Sequence, residues 1–269
     1  MNDDKTTRRH ALRVLGAVPM AVLACRNRRS EGRAPHIVTL SFDDGFEKSS
    51  IETGRIYKKY GLSASLNVIA SAHEKGFVLP NEYHKWPVGD FQLWNRLKAE
   101  GHEIMPHGWK HEDLAKCTLE EAKASISRCL DIFSAELSGF DSKRAVFNFP
   151  YNSSSFEVED WLRTRVRAFR TSGDAFNPLP HRGQARLTCV SSGPANIDRD
   201  LNSLVSKFLE GPPGWLIFNT HGLDGEGWGP VSSSFLDELL DRLSRKPGVR
   251  VLTVTQALDS VETQGGSGK

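Results

Sequence analysis

Four short segments, widely separated in the chain, carry the side chains that metal-assisted hydrolysis of an amide requires. Each follows a run of apolar residues typical of a buried strand: Ser41-Phe42-Asp43-Asp44-Gly45, His107-Gly108-Trp109-Lys110-His111, Asn148-Phe149-Pro150-Tyr151 and Asn219-Thr220-His221-Gly222. Together they supply adjacent carboxylates, two histidines four residues apart, a loop stiffened by proline and a late histidine. Such a set can hold a divalent metal, activate a water and protonate a leaving amine. The sequence therefore predicts a metal-assisted amide hydrolase.

The adjacent carboxylates of Asp43 and Asp44 can take different roles only if the strand has ended there. Successive side chains of a strand point to opposite faces, and the glycine that follows supplies the backbone freedom for a turn. One carboxylate and the imidazoles of His107 and His111 can bind a metal and leave a position for water. The other carboxylate can take the proton of that water. The departing amine then needs a proton, which His221 can supply.

Each segment alone also has a purely structural interpretation. Asp-Asp-Gly is a frequent turn, two histidines four residues apart can share one helix face, and a histidine before glycine can bond to loop backbone. Their joint occurrence after predicted strands in one chain favours the metal site.

The same segments resemble the motifs of the polysaccharide deacetylase family (the NodB-homology, carbohydrate esterase family 4 type). The stretch from Thr39 to Gly45 resembles the first motif and the stretch from His107 to His111 the second. Pro150-Tyr151 matches part of the third motif, and His221 matches the histidine of the last. The resemblance extends from about His36 to at least Gly222.

This resemblance implies an irregular (β/α) barrel that acts on an acetylated amino-sugar polymer or oligomer with one divalent metal ion, usually zinc. It implies that Asp44, His107 and His111 bind the metal. The alternatives are a hydrolase of a non-carbohydrate C–N bond on the same scaffold and a catalytically silent glycan-binding protein.

The resemblance also implies the catalytic roles. Asp43 is the expected general base and His221 the expected general acid, while the backbone N–H of Tyr151, after Pro150, is expected to help hold the oxyanion. The aromatic rings of Trp109, Tyr151 and Trp228 either stack on sugar faces or pack at the rim of the barrel.

Four features of the sequence depart from the family pattern. Asn148 stands where the third motif has an arginine that orients the base, and Arg170, at the end of the next predicted strand, is a possible substitute. Asn152 replaces a glycine, and Asp174 is the nearest candidate for a fourth, Asp-containing motif. Asn219 replaces a leucine that forms part of the pocket for the acetyl methyl group. These departures affect substrate handling and base tuning. The substrate expected from the resemblance is an N-acetyl sugar polymer, and the alternatives are another amide or ester, or an unusual acyl group.

The elements that must position these residues are alternating strands and helices from His36 onward. Such alternation predicts a parallel sheet with crossover helices in a single α/β domain. At least four predicted strands are followed directly by candidate catalytic or metal-binding residues. Because the strand ends of a barrel converge on one mouth, a barrel is favoured over an open doubly wound sheet. The strands are predicted at 37–42, 63–69, 102–105, 145–149, 166–170, 187–190, 215–218 and 249–254. The helices are predicted at 51–60, 90–99, 118–136, from 154, 201–209 and 235–243, with capping-box spacing at Thr118 and Ser154.

The composition is that of an ordinary soluble globular protein. The chain has 269 residues, 38% of them hydrophobic and 25% charged. A formal net charge of +2 gives no case for nucleic-acid binding.

The N-terminal residues predict export. Charged residues up to Arg9 precede an apolar run at 14–24, the order of an export signal. Thr7-Arg8-Arg9 resembles a twin-arginine signal, and Val22-Leu23-Ala24-Cys25 resembles a lipoprotein processing box that would leave a lipid on Cys25. The alternatives are an ordinary cleaved signal or a disordered tail. The predicted organisation is a signal at 1–25, a linker at 26–35, the barrel at 36–261 and a flexible tail at 262–269, in a protein of the periplasm or cell envelope that touches a membrane only through the lipid.

Overall fold

The computed structural model describes residues 35–262, and these contain nine strands and seven helices. The strands are β1 His36–Phe42, β2 Ser65–Val68, β3 Glu103–Pro106, β4 Val146–Asn148, β5 Ala168–Ser172, β6 Phe176–Asn177, β7 Arg186–Ser191, β8 Trp215–Thr220 and β9 Val249–Val251. The helices are α1 Glu47–Lys59, α2 Phe91–Ala99, α3 Leu119–Glu136, α4 Phe156–Leu162, α5 Asp198–Glu210, α6 Ser233–Arg245 and α7 Val254–Glu262.

Seven parallel strands form the wall of the fold. Hydrogen bonds join them in the order β3-β2-β1-β8-β7-β5-β4, while β9 pairs in parallel with the start of β1 and β6 pairs in antiparallel with β8. The two end strands, β3 and β4, are joined by side chains. The Val146 N–H donates to Sδ of Met105 at 3.4 Å, and Nδ1 of His107 lies 2.9 Å from the carbonyl oxygen of Asn148. The predicted irregular (β/α) barrel is confirmed, and the open doubly wound alternative is wrong.

Alternation along the strands separates an apolar outer layer from a barrel interior. Outward residues such as Val38, Leu40 and Phe218 pack against the surrounding helices in the larger core cluster. The lower interior is also apolar, and α7 packs there against Ile37 and Trp215.

The upper interior of the barrel, near the carboxyl ends of the strands, is polar. Buried side chains there include those of Ser41, Asn67, Asn148, Arg170 and Asn219. Because buried polar groups are stable only when they are paired, this layer must be a hydrogen-bonded network, and it lies directly below the loops that carry the four segments.

Several predicted boundaries differ from the structure. α1 begins four residues earlier than predicted, and the two-residue strand β6 was missed. The last predicted strand is too long: β9 ends at Val251, and α7 follows with apolar residues Val254, Ala257 and Leu258 at helical spacing. The period changes from two to 3.6 at this point, and the apolar run concealed the change.

The two predicted capping boxes have different outcomes. At Thr118 the box is present, with the Thr118 N–H donating to Oε2 of Glu121 at 2.9 Å and the Glu121 N–H to Oγ1 of Thr118 at 3.3 Å. At α4 the prediction is wrong by one residue, because Ser155 is the N-cap and accepts from the Val158 N–H at 3.4 Å. The hydroxyl of Ser154 instead donates to Oε1 of Glu159 at 2.7 Å.

The predicted export signal at 1–25, the linker up to residue 34 and the tail from residue 263 lie outside the described residues. Within residues 35–262, no helix has the length and apolar character needed to cross a membrane. The three cysteines of this part of the chain, Cys117, Cys129 and Cys189, are free thiols.

Candidate metal centre

The end of β1 places Asp43 and Asp44 at the upper mouth of the barrel. The Asp43 N–H still bonds to the carbonyl oxygen of Thr220 at 2.9 Å, and the chain then turns through left-handed conformations at Asp44 (φ 69°) and Gly45 (φ 74°). This turn breaks the alternation of side chains, so both carboxylates line the same cavity. The predicted strand end at this position is confirmed.

Asp44, His107 and His111 meet at one point. Oδ1 of Asp44 lies 3.4 Å from Nε2 of His107 and 3.1 Å from Nε2 of His111, and one ligand atom from each of the three lies within 4.8 Å of the others. All three side chains are buried. Neither contact has hydrogen-bond geometry, so Oδ1 of Asp44 has no donor among the described residues.

These residues fit a divalent cation. Donor atoms held about 2.0–2.1 Å from a tetrahedral zinc lie roughly 3.3 Å apart, and the observed separations are 3.1 and 3.4 Å. A buried carboxylate oxygen that faces two imidazole nitrogens without a hydrogen bond is otherwise hard to explain. One carboxylate and two imidazoles also form a donor set that suits zinc and similar ions.

The histidine pair lies in a loop after β3, and the alternative of a shared helix face is wrong. Nδ1 of His107 contacts the carbonyl oxygen of Asn148 at 2.9 Å, which assigns the ring proton to Nδ1 and leaves a lone pair on Nε2. His111 has a left-handed backbone (φ 60°), and so does Gly108 (φ 79°), where an added Cβ would lie 2.9 Å from Cγ of Pro150. The loop therefore has little freedom to misplace either imidazole.

The charges of this group reinforce one another. Burial raises the pKa of Asp44, but attraction to His111 and contacts with both imidazoles outweigh burial and hold this pKa well below its usual value. Burial lowers the pKa of His111, but the Asp44 carboxylate outweighs that effect and raises it. Asp44 is therefore an ionised carboxylate, as a metal ligand must be.

Asp43 belongs to the polar layer of the barrel interior. Its Oδ1 accepts a hydrogen bond from Nδ2 of Asn67 at 2.7 Å, and its Oδ2 accepts one from Nη2 of Arg170 at 2.6 Å. The same two side chains also donate to Oγ of Ser41, at 2.6 and 3.2 Å. Burial raises the pKa of Asp43. The Arg170 guanidinium and the nearby imidazoles of His107 and His221 lower this pKa by more, so it lies below its ordinary value. The carboxylate is ionised and fixed in orientation.

The expected substitute for the missing arginine is therefore in place. Arg170 is fully buried on β5, and its Cα pairs in register with Asn148 on the neighbouring strand β4. The guanidinium thus reaches Asp43 from one strand beyond the position that the family motif predicts. Asn148 instead uses its carbonyl oxygen to orient His107. Asp174 is exposed and lies outside the cavity lining.

His221 follows β8 and lies half-buried beside Trp228, with ring centroids 5.5 Å apart in an edge-to-face arrangement. Its Nδ1 has no hydrogen-bond partner within residues 35–262. Burial lowers the pKa of His221, and the opposing attraction of Asp44 and Asp43 does not fully offset it. A protonated His221 is therefore a stronger acid than an ordinary histidine.

These groups line a cavity of about 430 Å³ at the mouth of the barrel. The lining residues are Asp43, Asp44, Asn81, Glu82, Tyr83, His111, Tyr151, Asn152, Ser191, Asn219, His221 and Trp228. The loop at 81–83, which lies between β2 and α2, thus closes one side. A more open groove of about 760 Å³ shares His111 and Tyr151 with this cavity.

The predicted substrate residues have different locations. Tyr151 is 52% exposed and borders both cavities, and Trp228 lines the inner one. Pro150 is buried and begins a short turn whose hydrogen bonds come from the N–H groups of Asn152 and Ser153, at 3.0 and 3.1 Å. The Tyr151 N–H takes no part in these two bonds. Trp109 lies outside both cavity linings and packs against the outer core.

The sequence pattern did not reveal Asn67. It lies on β2 between the buried residues Leu66 and Val68. A polar amide inside an otherwise apolar strand is the signal that could have identified it, because such a group must find a partner in the interior.

Comparison with known proteins shows similarity to polysaccharide deacetylases. A family model for polysaccharide deacetylase matches residues 30–164. Peptidoglycan deacetylase PdaC from Bacillus subtilis is 20% identical, with 86% of this chain and 93% of that chain covered at a TM-score of 0.55. The Xyl-CE4 domain of a multidomain xylanase from the hindgut metagenome of Trinervitermes trinervoides is 15% identical, with 86% and 92% covered at a TM-score of 0.57.

A third similar structure is BA3943 from Bacillus anthracis, described as a CE4 family pseudoenzyme. It is 14% identical, with 84% of this chain and 66% of that chain covered at a TM-score of 0.54. No curated protein sequence matches the chain.

Proposed function

Because this chain belongs to the polysaccharide deacetylase family, we propose that it is a metal-dependent hydrolase that removes an acyl group from an amino sugar of a carbohydrate polymer or oligomer. The observation that carries this proposal is the meeting of three side chains from two separate loops at one point. Asp44, His107 and His111 bring their donor atoms within 4.8 Å of one another. Asp43 and His221 line the same cavity as Asp44 and His111.

Asp44, His107 and His111 would hold one divalent ion, and zinc suits this donor set best. When bound, such an ion supplies Lewis-acid activation of a water molecule and of the acyl oxygen. The contact of Nδ1 of His107 with the Asn148 carbonyl oxygen orients the imidazole for this role.

Asp43 acts as the general base. Each of its carboxylate oxygens accepts one hydrogen bond from a buried side chain and keeps a free lone pair. Because Arg170 keeps the carboxylate ionised, Asp43 can take a proton from the attacking water as the water oxygen bonds to the acyl carbon. The fixed partners hold that lone pair in one direction, which favours attack on a substrate bound in a single orientation.

His221 and Tyr151 act on the departing amine and on the oxyanion, respectively. The lowered pKa of His221 makes its protonated form a ready proton donor to the departing amine, which leaves poorly as an anion. The backbone N–H of Tyr151, which is free of the bonds that close its turn, stabilises the oxyanion.

The aromatic rings around the cavity support a carbohydrate substrate. Tyr151 and Trp228 line it, and Tyr83 on the opposite loop stacks on Trp86 with centroids 5.8 Å apart. Flat rings of this kind pair with the C–H faces of sugars. The structures of PdaC and of the xylanase domain carry names that refer to peptidoglycan and xylan. We therefore propose a glycan substrate for this chain, and the adjoining groove offers room for neighbouring sugar units.

The test combines metal content with release of free amine from N-acylated amino-sugar oligomers. Wild-type protein should contain about one divalent ion per chain and should lose activity when the ion is removed. His107→Ala should lose the ion. Asp43→Asn should keep it and lose about 10²- to 10⁴-fold in kcat, the usual contribution of a general base.

Two matched controls separate these effects from loss of folding. His181→Ala removes an exposed histidine and Asp241→Asn a partly exposed helix carboxylate outside the cavity lining, and both should behave like wild type. Full activity in metal-stripped protein would refute the proposal. Glycan binding without turnover, unchanged in Asp43→Asn, would instead support the silent binding protein.

We also propose that the protein is exported and carries a lipid at Cys25, on the basis of residues 1–25 alone. Mass spectrometry of the mature N-terminus tests this proposal. A chain that retains Met1 or lacks a lipid on Cys25 would contradict export or lipidation, respectively.

A further inference from the structure

The floor of the catalytic cavity is formed by a polar amide. Asn219 lies near the end of β8, two residues before His221, which follows the strand, and the rise of an extended chain places it roughly 6–7 Å deeper in the barrel. It is 1% exposed and lies in register between Ser41 on β1 and Ser191 on β7. Asn219 also lines the cavity, so its amide is a buried polar group that a bound substrate can meet from above.

A second amide holds Asn219 in place. Nδ2 of Asn152 donates to Oδ1 of Asn219 at 3.2 Å, and Oδ1 of Asn152 accepts from Sγ of Cys189 at 3.2 Å. Burial raises the pKa of Cys189 to about 11, so the thiol keeps the proton that it donates. Asn152 also lines the cavity and has a left-handed backbone (φ 52°). The amides of Asn219 and Asn152 are thus hydrogen-bonded to each other, and the Cys189 thiol holds Asn152 in place.

The Asn219–Asn152 pair is not fully used by the protein. A primary amide has two N–H donors and two acceptor lone pairs. Among the described residues, Asn219 donates one N–H to the Thr220 carbonyl oxygen at 3.2 Å and accepts one bond from Asn152. One donor and one lone pair of a nearly fully buried side chain remain for a ligand.

The acyl group is the part of the substrate that reaches this floor. Its carbonyl carbon must lie beside the water that Asp43 deprotonates, at the level of His221. The sugar chain is too large for the barrel interior and must leave through the open side, where Tyr151 is exposed. The small substituent on the acyl carbon therefore points downward to Asn219.

We propose that this substituent carries a hydroxyl group, so that the acyl group removed is a hydroxyacetyl (glycolyl) group and not acetyl. This inference rests on the proposed function. A methyl group on the floor would leave the free donor and acceptor of Asn219 unpaired, whereas a hydroxyl can accept from the one and donate to the other. In the reaction, the water oxygen bonds to the acyl carbon, the C–N bond breaks and the amine gains a proton. The products are hydroxyacetate and a free amino sugar.

The test compares two oligomers that differ only in the acyl group, N-hydroxyacetyl and N-acetyl, through the release of free amine. Sites built to bond a substrate hydroxyl discriminate strongly against analogues that lack it. We therefore expect kcat/KM for the hydroxyacetyl oligomer to be at least about 10-fold higher in wild type. Asn219→Leu should lower that ratio by about 10-fold or more.

Asn152→Gly provides a second variant in case Asn219→Leu does not fold. Its left-handed backbone suits glycine, and loss of the supporting amide should also lower the ratio. Asn202→Leu is the control, because this helix residue contacts Arg242 on the surface and should leave the ratio unchanged. Binding of both oligomers to Asp43→Asn, measured by calorimetry, gives a readout that does not depend on turnover, and the hydroxyacetyl oligomer should bind more tightly.

The outcomes separate this inference from the proposed function. An enzyme that cleaves the acetyl oligomer as well as or better than the hydroxyacetyl oligomer, with no change in Asn219→Leu, overturns the inference and leaves the proposed function standing. If neither oligomer releases amine, the proposed function fails, and the calorimetric comparison decides the inference: equal affinities overturn it, and a preference lost in Asn219→Leu supports it.

Discussion

Replacing Arg170 by methionine tests whether one buried guanidinium keeps the catalytic carboxylate of Asp43 ionised. Nη2 of Arg170 lies 2.6 Å from Oδ2 of Asp43, and both side chains are buried. At this separation and an effective dielectric constant of about 20, the attraction is about 6 kcal/mol before the cost of desolvation. Removing one member of a buried pair costs about 3–5 kcal/mol in folding free energy, because the remaining charge is left unpaired.

The loss of stability in Arg170→Met should be larger at pH 7 than near pH 4. In wild type the pKa of Asp43 is lowered, so the contribution of this carboxylate to stability is present above its unfolded pKa and is lost as pH falls through the folded pKa. In Arg170→Met, burial is opposed only by the imidazoles of His107 and His221, so the pKa of Asp43 rises above its wild-type value. The destabilisation should therefore be about 3–5 kcal/mol at pH 7 and smaller near pH 4, as measured by denaturant unfolding at both pH values.

Activity should change in the same direction. With a raised pKa, less of Asp43 is ionised at pH 7, so kcat/KM should fall by about 10²-fold and recover partly as pH rises. The double variant Asn148→Arg with Arg170→Asn returns the arginine to the position of the family motif. Because these two residues are paired in register on β4 and β5, the double variant should recover most of the activity and stability.

Arg186→Met is the matched control. It removes a strand arginine whose Nε lies 3.0 Å from Glu159 at a partly exposed site away from the cavity, so the pH profile should stay that of wild type. An Arg170→Met protein with wild-type stability and an unshifted activity profile would show that Arg170 does not tune Asp43.

Three further predictions follow from the geometry of the loops. Zinc at about 100 times its Kd should stabilise wild-type protein by about 2.7 kcal/mol in denaturant unfolding; His111→Ala should show much less, and an equal gain would place the ion elsewhere. Gly108→Ala should destabilise the fold by about 1–3 kcal/mol and lower kcat, because its Cβ would lie 2.9 Å from Cγ of Pro150 at a φ of 79°. Thermal unfolding at the wild-type midpoint would contradict this. Trp228→Ala should raise KM for glycan oligomers about 3- to 10-fold with a smaller effect on kcat, whereas an unchanged KM would make the ring a packing residue only.

The catalytic segments could be located from sequence because each combines a local signal with a strand end. A polar pair and a glycine after an apolar run predict the turn at Asp43 and Asp44, and the structure confirms it with left-handed conformations at Asp44 and Gly45. The parallel strands that precede the segments place their carboxyl ends at one mouth, so convergence follows from the alternation of strands and helices. The same reasoning did not predict helix α7. Its apolar residues at helical spacing begin within an apolar run that is equally typical of a strand.

Trp109 and Tyr151 show what spacing along the chain cannot decide. Both follow strands and both are large aromatic residues, yet Trp109 packs against the outer core and Tyr151 borders the cavity. The difference arises from the backbone of each loop, because a left-handed conformation at Tyr151 (φ 57°) directs its ring toward His111, with centroids 4.5 Å apart.

Hydrophobic period and turn chemistry are local properties, so the barrel, the order of its strands and helices and the loops with catalytic residues could all be predicted from the chain. The buried partners of each functional group became known only from the folded structure. Arg170 reaches Asp43 from 127 residues away, and Asn152 reaches Asn219 from 67 residues away. Such contacts depend on the register of the strands in a closed barrel. A shift of the register by one residue pair replaces one neighbour by another, and no local pattern of residues encodes that register.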